Sequence, residues 1–127
     1  MPRVVHFEIQ AEQPERAIAF YSAVFGWQFP EWMDGYWGVV TGAEGEPGID
    51  GGLMPRRGPA PASGAATNAF VCTVQVDDVE TYAAKAAAAG GEVVVPRMPI
   101  PGVGYSMYCV DTEGNIFGLH QPDPTAE

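Results

Sequence analysis

The stretch "VVHFEIQ" places His6, Glu8 and Gln10 two residues apart. In an extended strand that spacing puts all three side chains on one face. An imidazole beside a carboxylate is suited to general-base work, because a neighbouring charge can set its pKa near neutrality. The same residues can also line a pocket through hydrogen bonds, with no chemical step. A second histidine, His120, lies in "FGLHQ" near the other end of the chain. Together with His6 and Glu8 it would make up a two-histidine, one-carboxylate metal set. That set is disfavoured, since it also requires distances that spacing cannot supply.

The other reactive residue types read more simply. Cys72 and Cys109 sit inside apolar, strand-like runs without C-x-x-C spacing, and are expected to be buried free thiols. In "DTEGN", Asp111, Gly114 and Asn115 have turn chemistry and predict a hairpin connection. Arg56 and Arg57 fall in "PRRGP", where a solvated loop is the ordinary reading and a lid closing on an anionic group the minority one.

These residues need elements to position them. Around His6, Val5, Phe7 and Ile9 alternate with His6, Glu8 and Gln10, so a strand with one apolar and one polar face is expected. A helix follows, with Pro14 in its first turn, Ala17, Ile18, Tyr21, Val24 and Phe25 at helical spacing, and Gly26 as its stop. "WQFPEW", "YWGVVTG" and "IDGGLM" read as three short strands. "PRRGPAPASGAATN" has no periodicity and reads as a linker. The pattern then restarts: "AFVCTVQV" as a strand, Asp78 as N-cap of an alanine-rich helix, and "EVVVP", "GYSMYCV" and "NIFGLHQ" as strands. An offset of 65 residues sets His6 on Val71, Glu8 on Thr73, Gln10 on Gln75 and Gly26 on Gly91. This is the signature of an internal duplication.

The expected fold is α+β: two tandem βαβββ modules forming a curved mixed sheet around a cleft. The whole chain is read as one domain, with module one at about 3–54, a linker at 55–68 and module two at about 69–122. The apolar strand faces should pack on the helices. The polar faces, with His6, Glu8, Gln10, Thr73, Gln75 and His120, should line the cleft. Trp37, Tyr105 and Met107 are the expected pocket walls. Sixteen acidic residues against six basic ones give a net charge of -10, which repels nucleic acid and anionic lipid at long range, so neither is expected as a partner; the charge either favours a neutral or cationic ligand or only keeps the surface soluble. No run approaches the ~20 apolar residues of a membrane span, and "MPRVVHFEIQ" lacks the apolar core of a secretory signal, so a cytoplasmic protein is expected.

With "HFEI", "AFYSAVFGW", "VQVDDVE" and "DTEGNIFGLHQ" in order, residues 4 to 122 resemble the vicinal oxygen chelate superfamily of glyoxalases, bleomycin-resistance proteins and extradiol dioxygenases. The resemblance implies paired βαβββ modules and, commonly, a homodimer. It also implies four metal slots, on the first and last strands of each module, filled in the enzymes by His, Glu or Gln. Here His6 matches its slot, while the others fall on Val71, Gly118 and, near "GIDGGLM", Gly52. Valine offers no donor atom and glycine no side chain, so His6 falls short of the three or four ligands that Zn²⁺, Ni²⁺, Mn²⁺ or Fe²⁺ require. No metal residue is assigned and no cofactor is expected. The leading expectation is a metal-independent small-molecule-binding protein, in the manner of the drug-sequestering members, taking an aromatic or cationic ligand. The alternative is an isomerase, lyase or cyclase with His6 and Glu8 as catalytic residues, or a metal-dependent dioxygenase.

Overall fold

The computed structural model describes residues 2–127. They form two compact units, His6–Phe70 and Val71–Glu127, the latter together with the start of the first strand. Each carries the β-α-β-β-β order expected from the sequence, and the fold is α+β.

The first module consists of β1 (Arg3–Ala11), α1 (Pro14–Phe25), β2 (Glu31–Met33), β3 (Tyr36–Val39) and β4 (Gly51–Pro55). Its strands lie in the order β2-β3-β4-β1. β1 and β4 run parallel, with Glu8 opposite Gly52, and β4 pairs antiparallel with β3, with Gly52 opposite Gly38. Helix α1 starts at Pro14, whose fixed φ suits the first helical turn, and stops at Gly26, where φ is 73°. Phe7, Ile9 and Ala11 of β1 form a core with Val39 and Leu53, against which Ala17, Ile18 and Tyr21 of α1 pack. The alternation along β1 therefore leaves His6, Glu8 and Gln10 on the opposite face.

The second module repeats the plan with β5 (Val71–Gln75), α2 (Val79–Ala88), β6 (Glu92–Ile100), β7 (Gly104–Val110) and β8 (Ile116–Pro122), ordered β5-β8-β7-β6. Thr73 pairs with Gly118 across the parallel β5–β8 ladder, and Gly118 with Tyr108 across β7. Asp78 caps α2, its side chain accepting the Thr81 N–H at 3.1 Å. The core contains Val76, Val79, Ala83, Met107, Cys109 and Leu119. Asp111 accepts the backbone N–H groups of Glu113 and Asn115 at 2.8 and 3.0 Å, so "DTEGN" is a structural turn. Of the two free thiols, Cys109 is buried as expected, whereas Cys72 is exposed where burial was expected. Among the described residues no helix is long and apolar enough to cross a membrane.

Candidate functional site

Glu8, Gly52 and Gly38 form one row across three strands of module one, on the face away from α1. Two glycines side by side leave a trough in that face, and large side chains from neighbouring rows lie over it. A Cβ on Gly52 would meet the hydroxyl and ring of Tyr36, and a Cβ on Gly38 would meet the indole of Trp32. The two rings stack with centroids 5.8 Å apart. Trp32 keeps 56% of its surface exposed, so an outer ring face remains open to solvent.

The Tyr36 hydroxyl thereby comes between the two polar residues of β1. It lies 3.1 Å from His6 Nε2 and donates to Glu8 Oε2 across a long 3.4 Å. A phenol has one proton and a carboxylate can only accept, so with that proton given to Glu8 the first contact takes its proton from His6 Nε2. Glu8 is buried at 6% exposure. Burial first, and the Glu8 charge second, push the Tyr36 phenol far above its usual range and keep it protonated. The result is a directed chain, His6 N–H to Tyr36 O–H to Glu8 carboxylate. Gln10, one row further along β1, accepts from Arg56 Nη2 through its backbone carbonyl at 3.0 Å.

Module two has the corresponding row Thr73, Gly118 and Tyr108. A Cβ on Gly118 would sit 2.9 Å from Thr73 Oγ1 and 3.3 Å from the Tyr108 ring. Thr73 is buried and Gln75 exposed. His120 lies opposite Gln75 on one side and Ser106 on the other. Partial burial lowers its pKa, opposed by a hydrogen bond with the Tyr105 backbone, so its imidazole is neutral at pH 7.

Three expected wall residues lie elsewhere. Trp37 packs against the core under α1, Met107 is inside the module-two core at 5% exposure, and Tyr105 packs against that core with the Arg97 guanidinium over its ring. In each case the strand parity differs by one from the sequence reading. Tyr36 and Tyr108, not Trp37, Tyr105 or Met107, stand on the polar faces. Gly38 and Gly52 were the available signal, because unbulky positions on one strand face make room for a large neighbour. Two surface depressions, along Thr41–Asp50 and between Trp37 and the start of α1, include neither His6 nor Glu8.

The residues present do not fit the four-ligand metal site of the resemblance. The space above Gly52 is filled by Tyr36 and that above Gly118 by Thr73 and Tyr108, so neither position has room for a carboxylate without rearrangement. Among the described residues, no group of three or more His, Cys, Asp or Glu is placed to hold an ion.

With this geometry in place, comparison with known proteins identifies the class. The family model described as the Glyoxalase/Bleomycin resistance protein/Dioxygenase superfamily matches residues 3–119, and the chain belongs to that superfamily. It is 35% identical over 123 residues to "Putative glyoxylase CFP32" of Mycobacterium tuberculosis and to the protein of that name in Mycobacterium bovis, covering 92% of this chain and 43% of each relative. The chain thus spans less than half the length of those relatives. Among solved structures it is similar to methylmalonyl-CoA epimerase from Mycobacterium tuberculosis (TM-score 0.63, 17% identity, 95% of this chain and 88% of that one). It is also similar to the Mn(II)-bound glyoxalase from Novosphingobium aromaticivorans (TM-score 0.62, 19% identity, 99% and 41%). Identities this low establish the fold alone.

Proposed function

We propose that the chain binds a small organic molecule with an aromatic body against the His6–Tyr36–Glu8 face, and does so without a divalent metal. The observation that carries this reading is the Tyr36 hydroxyl over Gly52, where it links the imidazole and the carboxylate that would otherwise be metal donors. The open face of Trp32 offers the flat apolar wall a ring requires, and His6 and Tyr36 supply polar groups to orient it. Sequestration of a drug or metabolite fits these features, and the family likeness adds a homodimer as the proposed assembly. The net charge of -10 disfavours a polyanion.

Catalysis is the second reading, favoured by the directed hydrogen bonds and by the enzyme names of the relatives. On this reading His6, beside the Tyr36 hydroxyl, would take the substrate proton as general base. A thermal-shift screen of aromatic metabolites and basic antibiotics separates the two. Binding predicts compounds that raise the midpoint, less so in His6→Ala and Tyr36→Phe, and are recovered unchanged. Turnover of a compound, abolished in His6→Ala, would replace binding with the enzymatic reading.

A further inference from the structure

Arg56 immediately follows β4, and the β1–β4 register carries it onto the polar face. Gly52 and Met54 lie opposite Glu8 and Gln10 of β1, and Arg56, two residues on, continues the same alternation. Its backbone N–H continues the ladder, bonding the Ala11 carbonyl at 2.9 Å. Its guanidinium is held by two neutral acceptors, Nη2 donating to the Gln10 carbonyl at 3.0 Å and Nη1 to Asn68 Oδ1 at 3.4 Å. Nε is buried and makes no hydrogen bond among the described residues, although the side chain as a whole is only partly buried. Adjacent Arg57 is exposed.

A buried N–H without an acceptor is costly, and more so on a cation. The duplicated fold does not require it, because the position four residues after Gly118, matching Arg56 after Gly52, is Pro122. Arg56 is therefore a feature of module one alone, on the face that carries His6, Tyr36 and Glu8. Nη1 and Nη2 each give one hydrogen to the Asn68 and Gln10 oxygens and keep a second, and an oxyanion can accept from that pair at the partly exposed end of the side chain, while covered Nε senses the added charge. The acidity of the whole chain does not oppose this locally, since charges beyond about 8 Å are screened at physiological salt.

We infer that Arg56 anchors an anionic group, a carboxylate or a phosphate, on the small molecule bound at the His6–Tyr36–Glu8 face. This rests on the binding reading above. Gln10, whose carbonyl holds the guanidinium, is two residues from Glu8, roughly 7 Å along the strand. A single aromatic ring with one acidic substituent spans that distance.

The test uses benzoate, its neutral analogue benzamide, phenyl phosphate and inorganic phosphate, followed by NMR at the Arg56 Nε–H and the Trp32 indole N–H. Benzoate or phenyl phosphate should move both signals saturably, and benzamide should leave Arg56 unmoved. Whichever of the two acids binds more tightly names the oxyanion. Affinity should fall roughly tenfold or more in Arg56→Gln, the loss expected for a charge-assisted hydrogen bond, and remain unchanged in Arg57→Gln. Arg56→Lys keeps the charge without the fork and should recover only part of the loss. Benzamide moving Trp32 while no acid moves Arg56 would overturn the inference and leave small-molecule binding standing. Inorganic phosphate moving Arg56 with no acid reaching Trp32 would overturn the link to this face, as would equal losses in Arg56→Gln and Arg57→Gln. If none of the four probes moves either signal, the inference is again overturned, and the binding reading with it.

Discussion

Glu8 is almost fully buried, and a phenol from two strands away donates to it. That contact depends on the missing side chain of Gly52. Gly52→Ala should force Tyr36 aside and destabilise the protein by about 1–3 kcal/mol, as overpacking generally does. Combining it with Tyr36→Ala should cost less than the sum of the single changes, and denaturant melts of all four proteins measure that coupling. Tyr36 also sets a pH limit. Its folded pKa lies above the unfolded value of 10.0, so its contribution is fully present below pH 10 and lost as pH rises beyond it. Tyr36→Phe should remove that alkaline loss in pH-dependent unfolding. His120 acts at the other end. Its folded pKa is below the unfolded 6.5, so its contribution is present above pH 6.5 and lost as pH falls below it. Stability of His120→Gln should be flatter across that acid limb.

The elements were legible in the sequence where local chemistry decides them. Pro14, Gly26, Asp78 and the "DTEGN" turn all act within a few residues of themselves, and each stands where it was expected. Asp78→Ala removes one cap bond and should cost about 1 kcal/mol, or about 3–5 °C in Tm, readable by circular dichroism. Strand parity after a glycine was harder to read. The sequence around Gly35 and Gly104 does not say which alternate residues face the helix, and an error of one moves every side chain to the other face. That exchange put Met107 in one core and Trp37 against the other, and brought Tyr36 to the polar site. Long-range contacts such as Arg56 to the Gln10 carbonyl, 46 residues apart, have no local signal at all.

At the scale of the molecule, duplication places equivalent residues at equivalent ladder positions, and the two modules then diverge. Glu8 and Gly52 in one correspond to Thr73 and Gly118 in the other, and the positions matching His6 and Arg56 are Val71 and Pro122. The family likeness implies a homodimer, so sedimentation equilibrium should give the mass of two chains, and the mass of one would contradict it. The central claim is that the His6–Tyr36–Glu8 face works without a divalent ion. Its most direct test is elemental analysis of the purified protein, followed by calorimetric titration with Zn²⁺, Ni²⁺, Fe²⁺ and Mn²⁺. No stoichiometric ion and no saturable uptake is the predicted result. A tight one-to-one site that disappears in His6→Ala would contradict it.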